Sequence, residues 1–66
     1  MIEPGTIVRI NSARGPIDRV VVKDHGAIIE VSRQEEIDEA TADGRRPRSV
    51  GFKKTDIIEV LTPPRR

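Results

Sequence analysis

Ile17-Asp18-Arg19-Val20-Val21-Val22-Lys23-Asp24-His25-Gly26-Ala27-Ile28-Ile29-Glu30-Val31-Ser32 sets two runs rich in β-branched residues on either side of an Asp-His-Gly turn. Branching at Cβ fits a pleated, half-buried surface better than a helix, and Gly26 takes a positive φ at little cost. The segment therefore reads as a hairpin, with strand two over residues 17–23 and strand three over residues 27–32. Working toward the N-terminus, Thr6-Ile7-Val8-Arg9-Ile10 follows Pro4-Gly5 and reads as strand one, about residues 6–11. Between strands one and two, Asn11-Ser12-Ala13-Arg14-Gly15-Pro16 has the chemistry of a loop.

Toward the C-terminus the character changes at Ser32. Ser32 and Glu35 have the spacing of a capping box, Glu35 and Glu36 suit the positive end of a helix dipole, and Gly44 suits its close. Ile37, Ala40 and Thr41 form a narrow stripe at helical spacing. A short helix is expected between Ser32 and Gly44, held only if Ile37 docks on the strands; the alternative is a mobile acidic loop. Strand four is expected over residues 48–52, with Val50 and Phe52 on one face and Phe52 as core anchor. Lys53-Lys54-Thr55-Asp56 reads as a single turn, and residues 57–61 as the last strand. Thr62-Pro63-Pro64-Arg65-Arg66 is expected to be a disordered tail, because consecutive prolines donate nothing to a sheet. Its other reading is a short extended ligand for another protein.

Sixty-six residues make one domain, here residues 1–61, which buries only about 60% of its unfolded surface and has a margin of a few kcal/mol. Five short strands with one insertion point to an all-β fold, a small five-stranded barrel with a short helical insert between strands three and four. The opening Pro4-Gly5-Thr6-Ile7-Val8-Arg9-Ile10 and the ending Val50-Gly51-Phe52-Lys53-Lys54-Thr55-Asp56-Ile57-Ile58-Glu59-Val60 resemble the first and last elements of SH3-like barrels. Families with that outline include the KOW domains of ribosomal and transcription-elongation proteins, the photosystem I E-subunit, the variable chain of ferredoxin-thioredoxin reductase and the S subunit of the photosynthetic NDH complex. The ending is most similar to the E and S subunits, in which a Val-x-Phe strand runs through a turn with an acidic residue into a final strand. The resemblance covers the two ends of the chain and implies a fold; residues 17–48 depart from it in length and composition.

Composition narrows the chemistry. With no cysteine and one histidine, disulfides, thiolate metal sites and His-rich metal sites are excluded, and no cofactor motif is present. No basic segment followed by an apolar run opens the sequence, so no membrane attachment and a cytoplasmic location are expected. Glu35 with Asp38 or Glu39 pairs carboxylates on a helix, but a chain this small has little room for the sheltered pocket that shifts their pKa values, so no catalysis is expected. His25, in a turn beside Asp24, reads as an exposed turn residue rather than a pH-sensitive contact.

Twelve basic and eleven acidic side chains nearly cancel, but they are unevenly placed. Residues 33–43 carry five carboxylates and one arginine, whereas residues 44–54 carry Arg45, Arg46, Arg48, Lys53 and Lys54 and no carboxylate. These five cations are the candidate partner-binding residues, with an acidic protein surface as the expected partner. The bland alternative is a solvated face neutralised by Glu35, Glu36, Asp38 and Glu39. A different class of partner, the backbone of RNA or DNA, would use the same cations, or Arg9, Arg14 and Arg19 in a KOW-like arrangement with Gly15. The lack of Trp and Tyr, with a single Phe, disfavours single-strand recognition and proline-peptide grooves, both of which use aromatic platforms. A third reading, a structural homo-oligomer, rests on Ile28 and Ile57 falling out of phase with the core faces of their strands.

Overall fold

The computed structural model describes residues 2–62. In chain order the elements are β1 (Ile7–Ser12), β2 (Gly15–Asp24), β3 (Ile28–Ser32), α1 (Gln34–Asp43), β4 (Val50–Lys53), a 3-10 turn (Lys54–Asp56) and β5 (Ile57–Thr62). All five strands lie antiparallel in one sheet, in the order β4-β3-β2-β1-β5. Four strands thus meander, and the 3-10 turn returns the fifth to pair with β1.

The sheet curls without closing into the expected barrel. β4 and β5 are consecutive, yet β4 pairs with β3 and β5 with β1, so the three-residue turn carries the chain from one edge of the sheet to the other. The curl is held by one apolar layer. Val8, Ile10, Val21, Ile29 and Val31 are fully buried, and Phe52 from one edge strand and Ile57 from the other pack on them. Phe52 is thus the anchor expected of it, half-buried at the rim of the layer.

Several boundaries differ from the sequence expectation, each for a local reason. The expected loop over residues 11–16 is a tight hairpin in which Ser12 faces Gly15 and only Ala13 and Arg14 turn. Ser12 Oγ donates to the Gly15 carbonyl at 2.7 Å and accepts the Arg14 N–H at 3.3 Å, and Gly15 takes φ +101°. Pro16 is tolerated within β2 because β3 pairs with β2 only from Val20 onward. A bulge near Val22 shifts the β2–β3 register, and the adjacent Val20 and Val21 are both buried.

The helix forms, and Gly44 ends it at φ +66° with its N–H on the Ala40 and Thr41 carbonyls. Ala40 is buried, and the half-buried Ile37 lines a shallow recess with Pro4, Val20 and Pro47 between helix and sheet. The capping box does not form. Arg33 stands at the N-cap with no side-chain hydrogen bond, because Ser32 ends β3 and its hydroxyl donates to the Arg48 carbonyl at 2.7 Å. β4 begins at Val50 rather than Arg48, and Val50 is 62% exposed. Thr62, expected in the tail, is the last residue of β5, while residues 63–66 lie outside the described part.

Ile29 has no exposed surface at the middle of the apolar layer. Ile29→Ala should cost about 2–5 kcal/mol, most of the margin of a domain this size, and leave the chain largely unfolded in urea titrations at room temperature. Val50→Ala should shift the same titration by less than about 0.5 kcal/mol.

Candidate functional site

The five cations expected to act together fall into separate environments. Arg45 turns back onto the helix, its Nη1 donating to Glu36 Oε2 at 2.7 Å and its Nε to Asp43 Oδ2 at 3.4 Å. The pair raises the Arg45 pKa and lowers that of Glu36, in both cases chiefly through their mutual hydrogen bond. Lys54, at the start of the 3-10 turn, places Nζ 2.8 Å from Asp24 Oδ2. Arg46, Arg48 and Lys53 have no carboxylate partner among the described residues. Neutralisation by neighbouring carboxylates therefore applies to two of the five, and of the helix carboxylates only Glu36 and Asp43 take part.

Asp24 does more than pair with Lys54. Its side chain is 4% exposed and also accepts the Ile2 N–H and the Gly26 N–H, each at 2.7 Å. The Lys54 hydrogen bond, followed by the Ile2 and Gly26 amides, holds its pKa far below the usual carboxylate range.

Residues 44–49 contain no regular structure, yet side chains hold them. Glu36 Oε2, already on Arg45, also accepts the Arg48 N–H at 2.8 Å. Ser32 takes the Arg48 carbonyl, and Ser49 Oγ donates to Glu30 Oε1 at 2.7 Å. Glu30 is also bonded to His25 Nε2 across the β2–β3 turn, and its pKa is lowered by His25 first and Ser49 second. His25 is thus tied to Glu30, and Arg48 is fixed at both its amide and its carbonyl.

Fixed in this way, Arg48 lines a groove of about 460 Å³ on the concave face of the sheet. Ile17, Val31, Val50 and Phe52 form an apolar floor, and Arg19 and Arg33 join Arg48 around it. Among the described residues Arg19 donates only to the Asp18 carbonyl, and Arg33 has no carboxylate ion pair. Glu36 also borders the groove, but its carboxylate is held by Arg45 and the Arg48 amide. The result is an apolar strip edged by three arginines that form no direct ion pair among the described residues, suited to an anionic, partly apolar ligand.

The remaining sequence candidates disperse. Arg9 faces Asp18 at 2.9 Å and Glu59 at 3.9 Å, whereas Arg19 opposes Val8 and so lies on the other face of the sheet. Arg14 sits at the hairpin tip, so Arg9, Arg14 and Arg19 share no surface. Glu35, Asp38 and Glu39 lie exposed along α1, where Asp38 accepts from Gln34 Nε2. Of the two isoleucines expected outside, Ile28 is 42% exposed, but Ile57 packs on the core. Two bulges in the β1–β5 ladder leave Ile58 and Leu61 without partners and break the alternation of that strand, and the exposed large residues there are Ile58 and Val60. Among the described residues no helix is long and apolar enough to cross a membrane. No family model matches the chain, and no curated protein or solved structure matches it.

Because folding depresses the Asp24 pKa, its contribution to stability is complete above the ordinary carboxylate range, about 4, and declines as pH falls from there toward the folded value. Glu30 and Glu36 add to the same acid limb. Thermal melts should show a plateau above about pH 5 and a falling midpoint below it. Asp24→Asn should lower the plateau and flatten the limb; an unchanged slope would remove Asp24 as a main source.

Proposed function

We propose that this protein is a non-catalytic accessory module of the SH3-like class that docks onto an acidic surface of another protein through the groove edged by Arg19, Arg33 and Arg48. The observation that carries the reading is the conjunction of an apolar floor with three arginines that form no direct ion pair among the described residues. A groove for nucleic-acid backbone needs cations but no apolar floor, so the floor favours a protein. Support for the fold class comes from the strand order, a four-strand meander whose short helical turn brings the fifth strand back to β1, an open version of the barrel that both ends of the chain resemble. Arg48 is common to the sequence-derived set and to the groove. Arg46 and Lys53 extend the positive field beyond it, and Arg45 acts through Glu36 by holding the loop that presents Arg48.

The test is retention of proteins from source-cell lysate on the immobilised chain, with and without nuclease, for the natural sequence and for Arg19→Glu combined with Arg48→Glu. Arg48 is exposed but Arg19 is half-buried opposite Val8, so thermal melts accompany the assay to establish that the double variant is folded, and Arg48→Glu alone repeats it with the smaller perturbation. The same few proteins should survive nuclease on the natural chain and fall at least tenfold on the variant. Retention that collapses with nuclease, and falls steeply with salt, would assign the arginines to nucleic-acid phosphates instead.

A further inference from the structure

Resting on that docking reading, we propose that the free edge of β4 takes an extended acidic segment of the partner protein as a sixth strand, its side chains reaching over the groove. Among the described residues β4 pairs only with β3, through Ile28 with Lys53, Ile29 with Phe52, Glu30 with Gly51 and Val31 with Val50. Two backbone bonds set the phase of this ladder. The Lys54 N–H donates to the Ala27 carbonyl at 2.9 Å, and the His25 N–H donates to the Ile28 carbonyl at 2.9 Å. Ile28 thus turns its backbone groups toward β2, and its opposite number Lys53 turns away from β3. By the alternation of antiparallel ladders, Val50 and Phe52 bond to β3 while Gly51 and Lys53 aim N–H and C=O at the free edge.

Charge selects the strand that can add there. From Gly44 to Lys54 the chain has no carboxylate, and Arg46, Arg48 and Lys53 have no acidic partner among the described residues. Cations along an edge oppose pairing with a second copy of the same edge and favour a strand carrying carboxylates. Val50 and Phe52 wall the groove on the same face, so alternate residues of an added strand meet the apolar floor and the arginines around it. The opposite edge differs: β5 carries two bulges, which interrupt regular pairing. Gly51 has no positive φ, and a Cβ built on it meets only Ile28 Cγ2, at 3.4 Å, so another residue can stand there without left-handed strain.

The probe is a short fluorescein-labelled peptide alternating Glu and Val, titrated into the full chain by fluorescence polarisation and by amide NMR. Binding should slow hydrogen exchange at Gly51 and Lys53 specifically, and a Lys-Val peptide should not bind. Gly51→Pro removes one outward N–H without touching the β3 ladder and should weaken binding at least tenfold, as should Arg48→Glu. Thermal melts check that Gly51→Pro is folded. A copy of the peptide N-methylated at alternate residues, which cannot pair as a strand, repeats the test on the natural chain and should fail to bind. If Gly51→Pro and the methylated peptide bind normally while Arg48→Glu does not, strand addition is overturned and docking by charge remains. If Arg48→Glu also binds normally, the arginine-edged groove itself is ruled out as the docking site for this peptide. If the natural chain ignores the acidic peptide, strand addition is overturned, and the docking reading is judged by the lysate retention alone.

Discussion

The carboxylate of Asp24 is the point on which the rest of the molecule turns. It sits at the end of β2 with almost no solvent and gathers donors from three separate segments: the N-terminal Ile2, the turn at Gly26 and the side chain of Lys54. An anion so enclosed is tolerable only with its lone pairs satisfied, and here charge and hydrogen bonds are met together. Its geometric effect exceeds its local one. Holding Lys54 against the β2–β3 turn fixes where β4 ends and the 3-10 turn begins, and therefore how β5 is led back to β1. In a domain whose apolar layer consists of Val and Ile with one Phe at its rim, such a polar tie supplies alignment that bulk hydrophobic packing does not.

A second polar system does the same for the groove. Glu36, Ser32 and Glu30 reach from the helix and β3 to Arg48 and Ser49, so a stretch without regular hydrogen bonding is tied to the sheet and the helix by side chains. The insert α1 thereby has a task beyond covering Val20: it carries the carboxylate that positions the loop. Arg45 completes the arrangement by occupying the same carboxylate, so that among the described residues the exposed Arg48 side chain forms no direct ion pair and feels Glu36 only at longer range.

Much of the strand plan was legible from sequence because β-branched runs and Gly-bearing turns report local conformation directly. The helix was legible through Gly44 and the spacing of Ile37 and Ala40. Its start is not legible, because a serine three residues before a glutamate looks the same whether it caps a helix or, as Ser32 does, ends a strand and bonds a distant carbonyl. The phase of β5 was hidden for a similar reason. Ile57-Ile58-Glu59-Val60 allows either face inward, and only the bulges against β1 decide that Ile57 goes in. At the site, contiguity in sequence singled out residues 44–54, yet folding divides that run and joins Arg48 to Arg19 and Arg33 from β2 and the head of the helix. Nothing in a linear charge pattern encodes that grouping, since it depends on strand register and on which arginines find carboxylates nearby.

The closed stem beneath the insert has a consequence for how this fold can vary. Val31 pairs with Val50, and Ser32 bonds the Arg48 carbonyl, so the two ends of everything between them meet at one place on the sheet. The cost of closing such an excursion grows only with the logarithm of its length. The helix and its loop therefore behave as a cassette: they can lengthen, shorten or be replaced in related chains while the register of β2, β3 and β4 stays as it is. The rim of the groove can diverge on this scaffold, with the strands left to keep the shape of the sheet.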